Sequence, residues 1–165
     1  MNIFYLHHSP YIAAKVQYNK HVVKMILESA QMLCTAHHVY GNEEQKLNVP
    51  YKQAHLNHPS TIWARQCRAN YRWLYLHMMA LGYEYTKRYN KMHASIVKCA
   101  KFLNIPPVHI PDGDFCEPPQ AMPDEYKAEC SIEAYWNYYI GEKHVVATKD
   151  EMIYEKPIET TNKRI

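Results

Sequence analysis

The chain of 165 residues holds only 4 glycines, and no P-loop, dinucleotide fingerprint or Gly-x-Ser-x-Gly elbow occurs in it. Enzymes that cradle phosphates in glycine-rich loops are therefore excluded. Phenylalanine is scarce as well, at 3 residues. The 5 cysteines (Cys34, Cys67, Cys99, Cys116 and Cys130) are odd in number, widely spaced and free of any Cys-x-x-Cys. That spacing argues against a zinc ribbon or a disulfide framework and for a reducing, cytoplasmic setting. No apolar run reaches the length of a membrane span, and residues 1–10 have no basic region ahead of their short apolar run. Charge of one sign is not in excess either. The 19 basic and 16 acidic residues leave +3, too little by itself to argue for a polyanionic partner.

What the chain has in quantity is tyrosine, 15 residues, and histidine, 11. Tyrosine packs as an aromatic while keeping a polar tip, which suits surfaces both wet and adhesive. Spacing of apolar residues predicts an all-α protein, a compact bundle of three to four main helices with long proline-rich loops. Residues 1–147 read as a single domain and 148–165 as a polar tail. Residues 2–6 are a short apolar strand or lead-in. Ser9 and Pro10 mark a helix start, and the pattern runs with few interruptions to about residue 39, where Gly41 ends it. Residues 42–57 read as a loop. Asn57, His58 and Pro59 open the longest helix, whose core stripe is Trp63, Cys67, Tyr71, Leu74, Met78, Leu81 and Tyr85, with Gly82 as a point of kinking. A third helix covers about 91–103. The segment 104–124, with Pro106, Pro107, Pro111, Pro118, Pro119 and Pro123, should wrap the surface in extended form. A short helix follows over about 125–139.

Three constellations bear on chemistry. On the first helix Val22, Val23, Ile26, Leu27, Ala30, Leu33 and Cys34 form an apolar stripe, and Lys20, Lys24, Glu28, Gln31, Thr35 and His38 a polar one bordered by His21. Packing requires the first stripe; it does not require a histidine, two lysines and one carboxylate gathered on the second. Next, Arg65, Arg68, Arg72, Lys87, Arg88 and Lys91 form a cationic series with only Glu84 as a nearby acid and with Tyr83, Tyr85 and Tyr89 interleaved, the footprint of a nucleic-acid surface. The third is the aromatic cluster Tyr135, Trp136, Tyr138 and Tyr139, followed by Lys143. From one helix these rings should not all face a core, so part of the cluster is expected on the surface.

In this order the pieces resemble the small phage and bacterial pyrimidine-dimer DNA glycosylases of the endonuclease V type. His21 and Glu28 have the family's spacing between a histidine and its catalytic glutamate. Asn57, His58 and Pro59, leading to Leu81, Gly82 and Tyr83, resemble its long helix, and Trp136, Tyr138, Tyr139 and Lys143 its DNA-touching C-terminal segment. The resemblance implies a compact helical domain that binds double-stranded, damaged or modified DNA, with Glu28, His21, Lys24 and Met1 at the catalytic centre. It sets His58, Trp136, Tyr138, Tyr139 and Lys143 against DNA, beside the cationic series Arg65, Arg68, Arg72, Lys87, Arg88 and Lys91 already read from the residues. It calls for no cofactor and no metal. Two positions depart from the family pattern. Asn2 stands where the family exposes a small residue's amine, and Leu27 where an arginine accompanies the glutamate. Among the amines, that of Met1 comes first, with a reference pKa near ~8 against ~10.4 for Lys24 or Lys20.

Two other classes fit the residues alone. One is a non-catalytic nucleic-acid-binding or interaction protein of phage type. The other is a metal-dependent nucleotide or phosphate-ester enzyme built on His37, His38, His55 and His58, although no His-Glu-x-x-His motif is present.

Overall fold

A computed structural model describes residues 1–146. Within them the protein is all-α, with seven α-helices and two short 3₁₀ turns. The helices are α1 (Pro10–Lys15), α2 (Asn19–Tyr40), α3 (Glu43–Asn48), α4 (Pro59–Gln66), α5 (Arg68–Tyr89), α6 (Ala94–Leu103) and α7 (Ser131–Gly141). The two 22-residue helices α2 and α5 pack on each other as the centre of the bundle, with α1 against α5 and α4 and α6 against α2. The expected tail over 148–165 lies outside the described residues.

The expected first helix is two. Its polar backbone is diverted at residues 16–18 by side chains from distant segments. Arg88 of α5 donates from Nη2 to the Lys15 carbonyl at 2.9 Å and from Nη1 to the Gln17 carbonyl at 2.8 Å. The Tyr18 amide donates to the Tyr139 hydroxyl at 2.7 Å. These bonds satisfy the groups that an unbroken helix would have paired internally. The expected long helix is likewise interrupted, at Cys67, which takes an extended conformation. Here the Arg68 amide donates to the Pro111 carbonyl at 2.8 Å, and the Cys67 thiol points to the Asp114 carbonyl at 3.3 Å. Gly82 does not break α5, which continues to Tyr89. It is a contact point: a Cβ there would lie 2.8 Å from the Ile96 side chain, so its bareness lets α6 close on α5.

Residues 42–57 are not wholly loop, because Asn42 and Gln45 form a reciprocal capping box that starts α3. The last helix begins later than expected, at Ser131, after a 3₁₀ turn over Asp124–Tyr126. Residues 104–123 do run without a helix. Outside a helix their carbonyls have no amide four residues on to pair with and accept from other elements: Pro118 accepts from the Ser131 hydroxyl and Pro119 from the Tyr135 hydroxyl, each at 2.8 Å. The whole stripe from Trp63 to Tyr85 is buried as expected. On α2, however, Val23 and Leu27 stay exposed at 37% and 39%, while Met25, Ser29, Met32 and Ala36 enter the core.

Candidate active site

Glu28 lies in the middle of α2 and is 8% exposed. Burying a carboxylate is costly unless it is paired, and three nitrogens surround this one. The Asn2 amide donates to Oε2 at 2.8 Å, the α-amine of Met1 stands 3.9 Å from the same oxygen, and Lys24 Nζ is 3.2 Å from Oε1. The Lys24 to Glu28 pair is the one that helical spacing allows; the other two require the amino end to cross α2, and a side-chain turn makes it do so. Asn2 Oδ1 accepts from the amides of Ile3 and Phe4 at 2.7 and 3.1 Å, and its Nδ2 donates to the Ala121 carbonyl at 3.0 Å. Phe4 then adopts a left-handed backbone, φ 52°. A phenylalanine holds such a conformation only at a cost of roughly 1–3 kcal/mol, offset by surrounding contacts. Its ring stacks on His21, centroids 4.3 Å apart.

Met1, Asn2, Phe4, Lys20, His21, Lys24, Met25, Glu28, Ala121, Tyr138 and Lys143 line one cleft of about 470 Å³. The four expected catalytic residues, Glu28, His21, Lys24 and Met1, are thus brought together, and Tyr138 and Lys143 join them from the far end of the chain. His21 is mostly buried, its Nδ1 2.8 Å from the Tyr139 hydroxyl, so its ring forms a wall of the cleft. Lys143 Nζ sits 4.5 Å over the Tyr138 ring. Partial burial works to lower its pKa, but hydrogen bonds to Tyr138 and Glu142 raise it overall, which keeps this lysine a cation. His58 is close enough to feel the same groups. Burial, the Met1 ammonium and His55 hold its pKa down, against an upward pull from Glu28.

The remaining residues expected on DNA divide sharply. Trp136 and Tyr139 are buried; the Trp136 indole donates to the Leu6 carbonyl at 2.8 Å, and Tyr139 stacks on Tyr18. All four aromatics of the cluster are in fact buried, contrary to expectation. The lead-in at residues 3–6 and the proline-rich strap both pack on α7: Phe4 meets the rings of Tyr135, Tyr138 and Tyr139, Leu6 accepts from Trp136 and Pro119 from Tyr135. Arg88 is internal. Beyond the two carbonyls above, it donates to Asn19 Oδ1 at 3.0 Å and to Glu84 Oε2 at 3.1 and 3.3 Å. Arg68 pairs with Asp112 at 2.8 Å, an acid from outside its own helix. Arg65 is half-buried, with its Nη1 enclosed. Arg72, Lys87 and Lys91 are exposed, and none of the arginines and lysines expected from 65 to 91 lines the cleft.

The histidine pairs are engaged in structure. His37 Nε2 meets the Tyr71 hydroxyl and His38 Nε2 the Tyr51 carbonyl, both at 2.8 Å. Among the described residues no group of three or more His, Cys, Asp and Glu side chains could hold a metal ion. The residues missed in the sequence are Asn2, which turns the amino end onto Glu28, and Ala121, whose carbonyl anchors it. No local pattern signals a contact across 119 positions, although an asparagine beside the chain start is a recognisable turn former. Comparison with protein-family models, with curated proteins and with solved structures finds no match.

Proposed function

We propose that this protein is a DNA-binding base-excision enzyme, a glycosylase with strand-nicking lyase activity that resembles the pyrimidine-dimer DNA glycosylases. The observation that carries this reading is the buried Glu28 carboxylate within 3.9 Å of the Met1 α-amine, in a cleft bordered by Lys20, Lys24 and Lys143. An amine beside a carboxylate is the pair that imine chemistry needs, and three lysines favour a polyanion.

The α-amine, once deprotonated, attacks C1′ of the target nucleotide. The N-glycosidic bond breaks, its electron pair leaves with the base, and the base takes a proton from solvent. Opening of the C1′–O4′ bond, with an amine proton passing to O4′, leaves a protonated imine. Glu28 stabilises the positive charge that develops on the sugar, then removes a C2′ proton so that the C3′–O3′ bond breaks with the phosphate as leaving group. Lys20, Lys24 and Lys143 hold flanking phosphates, and the exposed Arg72, Lys87 and Lys91 serve backbone further along the duplex. Tyr138 and Phe4 give the cleft an aromatic wall for a nucleotide drawn out of the stack. The partner is double-stranded DNA, and the chemistry requires no cofactor.

Borohydride reduction of the imine makes the intermediate permanent, so the test is trapping on a duplex with an abasic site and on one with a pyrimidine dimer, followed by peptide mapping. An adduct on Met1 or Lys24 is expected. Glu28→Gln should lower the trapping and nicking rates by roughly 100-fold or more while the melting temperature shifts little. DNA binding without any adduct on either substrate would reduce the protein to a binding module.

A further inference from the structure

The amino end reaches Glu28 by a route that the catalytic reading does not explain. Met1 and Asn2 belong to no helix, and an unanchored chain end would sample many positions. Two anchors prevent this. The Met1 side chain is 2% exposed, packed against the core, and the Asn2 carboxamide uses both of its ends. Its oxygen accepts from the next two amides, at 2.7 and 3.1 Å, and its nitrogen donates across to Ala121 on the proline-rich strap at 3.0 Å. The Asn2 amide, pinned from both sides, then points at Glu28 Oε2 from 2.8 Å, and the Met1 amine follows one residue behind.

We infer that Asn2 is a positioning residue, whose carboxamide clamps the chain end so that the Met1 amine rather than Lys24 is the group delivered to the substrate. The inference rests on the amine-nucleophile reading above and goes beyond it by assigning the choice between two amines to one side chain. Lys24 Nζ lies closer to Glu28, at 3.2 Å, but its side chain is 67% exposed and long. An amine on a four-carbon stem must be ordered at each turnover, whereas the clamped α-amine is ordered beforehand.

The variants for the test keep bulk at position 2, so that Met1 is not trimmed, and intact mass confirms its presence. Asn2→Leu removes both arms of the clamp. Asn2→Asp keeps the oxygen that accepts from Ile3 and Phe4 and loses the donor to Ala121. Borohydride trapping on abasic duplex is measured as a rate and as the share of adduct on Met1 and on Lys24. Binding to a duplex with a reduced, unreactive abasic site is the control. Asn2→Leu should lower the Met1 adduct rate by about 100-fold and move the remaining adduct to Lys24, with control binding within about twofold. Asn2→Asp should fall between Asn2→Leu and the wild type, and it decides the matter if Asn2→Leu does not fold. Wild-type rate and wild-type share on Met1 in the folded variants would overturn the clamp alone. A wild-type protein that binds DNA and forms no adduct would overturn the amine reading and the clamp with it.

Discussion

Histidine, at the scale of single residues, spends itself here on backbone. The Nδ1 atoms of His7, His58 and His93 accept from the amides of Ser9, Ser60 and Ser95, at 2.9, 3.1 and 3.1 Å. Each is a His-x-Ser tripeptide, and His58 and His93 are the N-caps of α4 and α6. The ring nitrogen does the work usually given to an aspartate or serine oxygen. Two other histidines are sealed in the core. Burial, reinforced for His37 by the neighbouring His38, pushes the pKa values of His37 and His77 down from 6.5 to about 4. His77 donates from Nδ1 to the Pro10 carbonyl at 2.9 Å and faces Gln17 Nε2 at 3.1 Å, so it is neutral and acts as an acceptor there. Because the folded values lie below the unfolded one, the unfolded chain takes up protons first as the pH falls. Stability is complete above about pH 6.5, declines through the interval, and levels off below about pH 4. Urea titrations should show a loss of about 2–3 kcal/mol per histidine between pH 7 and pH 4.5, and a flat profile over that range would show that neither ring is sealed.

Element boundaries were decided by groups far away in the chain. Arg88 is the plainest case, since α1 and α2 are separate helices where its guanidinium donates to the carbonyls of Lys15 and Gln17. Cationic spacing along α5 put it with the surface series; its local partner, Glu84 one turn earlier, does not foretell the contacts to Lys15, Gln17 and Asn19 that draw it inward. Its side chain is 15% exposed, and its loss strands Glu84 and two carbonyls at once. Arg88→Ala should therefore destabilise the fold by about 2–4 kcal/mol in chemical denaturation, whereas Arg72→Ala should change it by less than ~0.5 kcal/mol. Equal effects of the two would mean that Arg88 is as solvated as its neighbours. A similar argument applies at α7. Glu117 caps it from the strap by accepting the Ser131 amide at 2.8 Å, so the start of that helix depends on a residue 14 positions earlier.

In the whole molecule, the bundle brings together the start of the chain, the middle of α2 and the end of α7 at one cleft. Charge at that cleft is local. The long cationic series on α4 and α5 lies outside it, and two of its members are paired, Arg68 with Asp112 and Arg88 with Glu84. Affinity for duplex DNA should therefore be steeply salt-dependent through the lysines of the cleft. Lys24→Ala and Lys143→Ala should each reduce the log–log salt slope by about 0.9, while Arg68→Ala leaves it within error. A slope that responds to Arg68 and not to Lys143 would move the interface away from the cleft.

The sequence by itself determined the helical class, the core stripe from Trp63 to Tyr85, the start of α4 at His58 and Pro59, and the i, i+4 pairing of Lys24 with Glu28. Each follows from neighbours within a few residues, where periodicity and capping act. It also set His21 and Glu28, seven residues and about two turns apart, along one side of the first helix. Tertiary structure decided what lay beyond that range: the breaks at residues 16–18 and at Cys67, the burial of all four aromatics on α7, and the withdrawal of Arg88 into the fold. It also carried Met1, Asn2 and Lys143 to Glu28. A turn formed by one asparagine and a carbonyl 119 residues away has no local signature, because its stabilisation exists only once the strap and α2 have packed.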